Sequence, residues 1–248
     1  MKIHIGCSGY YYNHWRGLFY PDNLPKKKWL IYYSEHFDTV EINNTFYRMP
    51  LDSAVKNWHS ITPSEFKFSV KAYRYFTHLK KLIIDDAFRQ NLSEFMRLAG
   101  LLKEKAGPIL WQFPGNFKTD PERLESLCKI LPGHFRHVFE FRNETWFDNP
   151  VYEILEKYNQ SLCVVSGPGG VPKIMRKTSP LIYIRFHGEG SWYRDNYSNE
   201  ALQSWKKALG GLYPEELWAY FNNDANAYAV SNAGYFKSLY KKEIVNVN

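Results

Sequence analysis

The sequence predicts an α/β fold of the TIM type, a closed parallel (β/α)8 barrel that forms a single domain over residues 1–248. Two observations carry this prediction. Eight apolar, strand-like runs alternate with helix-like segments. Within several of these runs, apolar and polar side chains alternate from one residue to the next. The length of 248 residues and the hydrophobic content of 44% suit one such barrel. An open, doubly wound sheet is the alternative, but it usually has fewer strands or a longer chain.

The predicted strands and helices follow one another nearly throughout the chain. The strands are expected at 3–7, 39–43, 67–71, 109–112, 137–142, 162–165, 181–187 and 217–222. The helices are expected at 27–36, 87–105, 121–130, 150–158, 200–209 and 231–240. No repeat or low-complexity tract interrupts this order, which favours one domain.

Local punctuation supports these boundaries. Asp120 before Pro121 and Asp148 before Pro150 are typical of N-caps in which a proline opens the helix. The pair at 107–108, Gly-Pro, is expected to close the long helix before the fourth strand. Segment 166–172 is expected to be a βα loop that is too short to link two domains.

Cysteine content and hydropathy favour a cytoplasmic protein. Cys7, Cys128 and Cys163 are too few and too scattered for a disulfide framework, which favours a reducing compartment. Residues 1–9 are typical of a strand rather than of a basic leader, so no signal peptide is expected. No apolar run approaches the roughly 20 residues that cross a bilayer, and the mean hydropathy is -0.49. We therefore expect no membrane partner.

The charge balance favours partners that carry phosphate. The formal net charge is +7, and Tyr and Trp side chains offer faces on which bases stack. However, the basic runs 26–28 and 241–242 are short and more typical of solvated surface. A non-catalytic nucleic-acid-binding protein is therefore kept as an alternative function.

Glycine-rich cofactor motifs are absent from the sequence. No Gly-x-Gly-x-x-Gly opens a helix after the first strand, which argues against a dinucleotide site. The glycine cluster at 167–170 lacks the following Lys and Ser or Thr of a P-loop. We therefore assign no cofactor.

Strand parity places a polar site at the C-terminal face of the barrel. Side chains at every second position of a barrel strand face the helices, and those between them face the lumen. In the second strand, Val40 and Ile42 alternate with Thr39, Glu41 and Asn43. Since the apolar parity must pack on helices, the ionic side chains are expected to point inward near the strand ends, where active sites of this fold lie. The inward set is Glu41, Lys71, Glu140, Arg142, Arg185 and His187.

The predicted function is a hydrolase or related acid–base enzyme that acts on a small anionic substrate, phosphate-bearing or nucleotide-derived. Glu140 is the preferred general acid or base, and Glu41 and His187 complete the catalytic set. His187 is also expected to be left over as a spare donor to an anion. The substrate-binding set is Lys71, Arg142, Arg185, Gln112, Asn222, Asp224, His78 and Tyr10.

Two other interpretations of the cluster stay open. The opposite charges can pair with one another and plug the barrel mouth, since a buried charge is tolerated only when it is paired and hydrogen-bonded. Glu41, Glu140, Asp224 and His187 are also acceptable ligands for a divalent metal, which would indicate a metal-dependent phosphodiesterase. Because the carboxylates have cationic partners already, we assign no metal.

Seven segments in chain order carry a family resemblance. They are 5–10 (IGCSGY), 40–47 (VEINNTFY), 68–72 (FSVKA) with Thr77 and His78, 107–112 (GPILWQ), 140–142 (EFR) with Trp146 and Phe147, 185–188 (RFHG) and 220–224 (YFNND). They resemble the YecE-like family, the domain of unknown function seventy-two. The resemblance implies a TIM barrel and no settled activity, so the function has to be argued from the site.

This chain departs from the family pattern at two positions. Members usually carry Thr where this chain has Cys7, and Trp where it has Tyr10. The departure argues against Cys7 as a nucleophile. Its parity with Ile3 and Ile5 predicts a small buried thiol instead.

Overall fold

Eight parallel strands close into a barrel in the computed structural model of the protein, which describes residues 1–169 and 172–245. Each strand pairs with the next, and β8 pairs with β1 to close the ring. The strands are β1 Lys2–Ser8, β2 Thr39–Ile42, β3 Lys67–Lys71, β4 Ala106–Gln112, β5 His137–Glu140, β6 Ser161–Ser166, β7 Leu181–Phe186 and β8 Glu216–Phe221. The predicted fold class is confirmed.

The helices lie between the strands on the outside of the barrel. They are α1 Trp29–His36, α2 Asn44–Tyr47, α3 Asp52–Ile61, α4 Asp86–Gly100, α5 Pro121–Ile130, α6 Asn149–Lys157, α7 Asn199–Gly210 and α8 Tyr228–Val245. Both predicted proline-opened N-caps are present, since Asp120 and Asp148 accept from the backbone amides of Arg123 and Val151. No helix of the described part is long and apolar enough to cross a membrane.

Some of the sequence predictions fall partly outside the described residues. Gly170 and Val171 belong to the predicted loop 166–172 and to the glycine cluster, and residues 246–248 belong to the predicted domain. The side chain of Lys242, from the second basic run, also lies outside them.

The helix assignments needed three corrections, and the first is the short helix α2, Asn44–Tyr47, which was not predicted. Helix α3, which buries Val55 and Trp58, was not predicted either. The predicted helix 87–105 ends at Gly100, since Lys103 adopts a left-handed backbone with φ of 51° and starts a separate turn. Between β6 and β7, residues 167–169 and 172–180 form no helix.

Gly107 and Pro108 lie inside strand β4 and do not close the long helix as predicted. A side chain at Gly107 would meet the carbonyl oxygen of Phe68 at 2.9 Å, so glycine allows β3 and β4 to approach. Proline lacks a backbone N–H, and the β3–β4 register shifts opposite it, between Phe68 and Val70. The Ser69 hydroxyl donates to the Pro108 carbonyl at 2.8 Å across this irregularity.

Alternate side chains along the strands face the helices and the lumen, as predicted, but the lumen also holds an apolar core that was not predicted. The larger core joins strand residues such as Val40, Phe68, Phe139 and Ile184 to the helices. A second, smaller core fills the lumen with the opposite parity; it consists of Leu110, Val138, Cys163, Val165, Leu181, Tyr183, Trp218 and Tyr220. The lumen is therefore a packed interior that supports the polar side chains above it. Cys7 is fully buried, as predicted.

Gly6→Ala is expected to lower the free energy of unfolding by roughly 2–3 kcal/mol, because overpacking forces the backbone to shift. A Cβ atom at Gly6 would lie 2.1 Å from the Thr39 carbonyl oxygen, where β1 meets β2. The matched control is Gly210→Ala at the end of α7, where nothing lies within 4 Å of the added atom. Urea unfolding measures both variants. Equal effects would contradict the close approach of the two strands.

Candidate functional site

Arg185 lies at the centre of an ionic cluster at the C-terminal ends of the strands. Its Nη2 atom donates to Oε1 of Glu41 at 2.7 Å, and its Nη1 atom donates to Oε2 of Glu140 at 2.7 Å. The side chain of Arg185 is 2% exposed and both glutamates are fully buried. One guanidinium therefore links β7 to β2 and β5 through charge-assisted hydrogen bonds.

The other oxygens of the two carboxylates are also bonded. Oε1 of Glu41 accepts from the Ser8 hydroxyl as well, and Oε2 accepts from the Tyr183 hydroxyl at 2.6 Å. Oε1 of Glu140 accepts from Nε of Arg142. Burial opposes ionisation of Glu140, but Arg142 and the second guanidinium outweigh it and hold the pKa of the carboxyl below its usual range. Glu140 therefore stays ionised and is fixed in place.

His187, directly after β7, is a hydrogen-bond acceptor. Its Nε2 atom lies 3.0 Å from Nη2 of Arg142, and a guanidinium only donates, so Nε2 carries the lone pair. Burial and Arg185 lower its pKa well below the usual value, so the ring is neutral. Nδ2 of Asn222 lies 3.1 Å from Nδ1 of His187, which carries the ring proton when Nε2 is the acceptor. With the Asn222 amide turned by 180°, its oxygen accepts a hydrogen bond from this proton. This geometry corrects the expectation that His187 is a spare donor.

Lys71, the last residue of β3, is a buried lysine without a carboxylate partner. Its ammonium donates to Oε1 of Gln112 and lies 4.0 Å from the centroid of the Phe46 ring. Within the described residues, Lys71 forms no ion pair. Burial, followed by the nearby Arg185, lowers its pKa to about 7. At neutral pH, Lys71 is therefore divided between the ammonium and the free amine.

Arg142 forms the outer edge of the cluster. Its side chain is 12% exposed, whereas that of Arg185 is 2% exposed and those of Glu41 and Glu140 are fully buried. The Trp192 ring covers its guanidinium, with Cζ 4.7 Å from the ring centroid. Trp192 also packs against His187, with ring centroids 5.3 Å apart. Arg142 is therefore the arginine of the cluster that faces the opening.

Asp224 lies beside the cluster and pairs with His14. Nε2 of His14 is 2.8 Å from the backbone oxygen of Asp224 and 3.6 Å from its Oδ2 atom. Burial raises the pKa of this carboxyl. The pair borders an open hollow of about 520 Å3, with Trp192 on its wall. Trp192 therefore separates this hollow from Arg142.

His78 and Tyr10 also lie around the cluster. The His78 ring packs on Phe46 with centroids 4.8 Å apart, and burial, together with Lys71, lowers its pKa to about 4. Tyr10 borders a hollow of about 490 Å3 next to Asn43. No hydrogen bond in the described part of the chain joins either side chain to Arg185 or to the two buried glutamates.

The structure adds four side chains to the predicted set: Ser8, Tyr183, Phe46 and Trp192. Tyr183 shares the inward parity of Arg185 two residues later, so the alternation along β7 was the signal that could have found it. Phe46 lies on α2 and Trp192 in the loop after β7, where no strand period predicts which way a side chain points. The sequence alone therefore gave no signal for these two contacts.

The fold and the cluster define a class of protein, the parallel eight-stranded barrel with polar side chains at the C-terminal ends of its strands. Within that class, the chain belongs to the family described as protein of unknown function DUF72, whose model matches residues 4–247. The predicted family membership is confirmed.

Relatives match along most of the chain. The chain is 30% identical over 268 residues to the UPF0759 protein YunF of Bacillus subtilis (strain 168), across 93% of this chain and 92% of that protein. It is 28% identical over 160 residues to the UPF0759 protein YecE of Escherichia coli (strain K12), across 63% of this chain and 55% of that protein. A DUF72 family protein of Thermotoga maritima MSB8 superposes with a TM-score of 0.87 at 28% identity, across 97% of this chain and 100% of that chain.

Proposed function

We propose that the protein is an acid–base enzyme that binds a small anionic substrate, phosphate-bearing or nucleotide-derived, at the C-terminal mouth of the barrel. The observation that carries the proposal is the charge balance of the buried cluster. Within the described residues, Arg142 and Arg185 pair with the two carboxylates and His187 is neutral, so the ammonium form of Lys71 has no anionic partner. An anionic substrate would supply that partner.

The geometry favours a division of roles that differs from the one expected from residue types. Glu41 and Glu140 each have both oxygens bonded, so they hold the arginines in position. Arg142 binds the anionic group, since it lies at the edge of the cluster. Lys71 carries the proton, since it exists in both protonation states near neutral pH. Hydrolysis is one reaction that such a site supports.

A metal-dependent phosphodiesterase has less support. Within the described residues, no group of three or more His, Cys, Asp or Glu side chains is placed to hold an ion. The oxygens of Glu41 and Glu140 are bonded to Arg, Ser and Tyr side chains.

We also place the protein in a reducing compartment such as the cytoplasm, supported by its three buried, unpaired cysteines.

A different surface favours a second candidate function, the non-catalytic binding of nucleic acid. A hollow of about 450 Å3 is bordered by Lys26, Lys27 and Lys28 together with Tyr10 and Tyr11. Basic side chains beside aromatic rings suit a backbone phosphate and a stacked base. Binding of a short single-stranded oligonucleotide that weakens steeply with salt and persists when the ionic cluster is altered would favour this function.

Arg142→Gln is expected to weaken the binding of inorganic phosphate at least about tenfold, because a bidentate, charged donor is lost. The matched control is Arg176→Gln. Arg176 also pairs with a glutamate, Glu156, and also lies over an aromatic ring, that of Tyr152 at 4.3 Å, but on the outside of the barrel. Isothermal titration calorimetry measures both affinities, and Arg142→Lys tests whether charge alone suffices. Unchanged phosphate binding in Arg142→Gln would refute the proposed anion site.

A further inference from the structure

Two buried lysines of this protein differ in how their protons are bonded. Lys105 donates to the carbonyl oxygen of His59 at 2.6 Å and to the carbonyl and hydroxyl oxygens of Thr62 at 2.7 and 3.2 Å. An ammonium has three N–H donors, so Lys105 is fully bonded. Lys71 has a single acceptor among the described residues, the amide oxygen of Gln112. Two of its ammonium protons therefore have no protein oxygen acceptor in the described part of the chain.

Such a deficit favours the free amine of Lys71. Burial of a charge is costly unless the charge is paired and hydrogen-bonded, and Lys71 is 9% exposed. The Phe46 ring, 4.0 Å away, offers only a weak cation–π contact in compensation. A lysine that loses its proton near neutral pH has a lone pair available for nucleophilic attack.

The charges around Lys71 act in both directions on its pKa. Burial and Arg185 lower the pKa of Lys71, Glu140 and Glu41 raise it, and the resulting pKa is about 7. The titratable and charged groups that face it come from β2, from β5 and β7 and the residues just after them, and from the turn after β3. They are Glu41, Glu140, Arg142, Arg185, His187 and His78.

We propose that Lys71 is a nucleophile that forms an imine with an aldehyde or ketone carrying an anionic group. The inference rests on the proposed function and narrows its substrate to carbonyl compounds. The anionic group would bind to Arg142. Arg142 pairs with Glu140, and Glu140 lies beside Gln112 of β4, the residue that accepts a hydrogen bond from Lys71. Lys71 and Arg142 would thus hold two ends of one small molecule.

The step balances with the Lys71 amine, the carbonyl group of the substrate and one proton from solvent. The lone pair of Nζ attacks the carbonyl carbon, the C–N bond forms, and the π electrons of C=O move to oxygen. The nitrogen gives one proton to the oxygen, and solvent supplies the second. The C–O bond then breaks as water leaves, and the nitrogen lone pair forms the C=N bond. The product is a protonated imine on Lys71, whose positive charge replaces that of the ammonium beside the Phe46 ring.

Reductive trapping with sodium cyanoborohydride at pH 7 tests the inference in the full-length protein. The probes are glyceraldehyde 3-phosphate and, as its uncharged counterpart, glyceraldehyde. We expect peptide mass spectrometry to find Lys71 modified at least about tenfold faster than any exposed lysine, because a nucleophilic amine must be unprotonated. Lys105, buried and fully bonded, is the internal control and should stay unmodified.

The variants separate this inference from the proposed function. Arg142→Gln should remove the advantage of the phosphorylated probe over glyceraldehyde and leave trapping at Lys71. Modification of Lys71 no faster than of exposed lysines, while phosphate still binds through Arg142, would overturn the imine and leave the anion site intact. Absence of both trapping at Lys71 and phosphate binding would overturn both.

Discussion

Arg185→Met is expected to lower the free energy of unfolding by about 3–5 kcal/mol, because it leaves buried carboxylates without their cation. Arg185 is the only side chain that bonds both Glu41 and Glu140 in the described part of the chain, and both glutamates are fully buried. Methionine keeps most of the side-chain volume, so the loss reports on charge. Guanidinium chloride unfolding at pH 7 measures it.

The surface of the protein offers a matched control for this variant. Arg97 also bridges two carboxylates, those of Asp52 at 2.6 Å and Glu94 at 2.8 Å, but its side chain is 47% exposed. Solvent screens such pairs, so Arg97→Met should cost much less than Arg185→Met. Adding Glu41→Gln and Glu140→Gln to Arg185→Met should recover part of the stability, because no unpaired charge is then buried. Equal losses for the two arginine variants would contradict a desolvated cluster.

Lys71→Met is expected to gain stability over the wild-type protein at pH 6 and to lose that gain toward pH 10. The pKa of Lys71 falls from 10.5 to about 7 on folding. Below pH 7, Lys71 is charged in both the folded and the unfolded state, and the folded state bears the full cost of burying the ammonium. Between pH 7 and 10.5 the folded state releases its proton first, and above 10.5 the cost disappears. The shift corresponds to roughly 5 kcal/mol at most.

The measurement compares the unfolding free energy of Lys71→Met with that of the wild-type protein at pH 6 and pH 10. Other groups titrate in both proteins, so only the difference between the two proteins isolates Lys71. Lys56→Met on α3, whose side chain is 65% exposed, controls for the loss of one surface charge and should have a small effect at both pH values. A difference between Lys71→Met and the wild-type protein that does not change with pH would show that Lys71 stays charged in the folded state.

Arg185 and Lys71 belong to different halves of one cluster. Arg185 and the two buried glutamates pair as the plug interpretation expects, and their chief effect is on stability. Lys71 and Arg142 lie beside them with incomplete pairing or partial exposure, and they carry the proposed chemistry. A stabilising core of charge can thus hold reactive groups at its edge.

The sequence by itself determined the barrel and the direction of its ionic side chains. Alternation in a strand is local, so the pattern of Val40 and Ile42 against Glu41 was enough to turn Glu41 inward. The same rule placed Glu140 and Arg185 in the lumen, where the structure has them bonded. It also indicated Tyr183, which shares the parity of Arg185.

Only the tertiary structure decided which of these groups meet. Glu41 and Arg185 are 144 residues apart in sequence, and their contact depends on barrel closure and strand stagger, which no local pattern records. The same holds for His187: its burial, the main reason that the ring is neutral, exists only in the folded chain, and the Arg142 donor that meets its Nε2 atom lies 45 residues away. Burial and charge at a site are sums over strands distant in sequence, and this is why the pairing of Arg185 and the isolation of Lys71 became visible only in the folded chain.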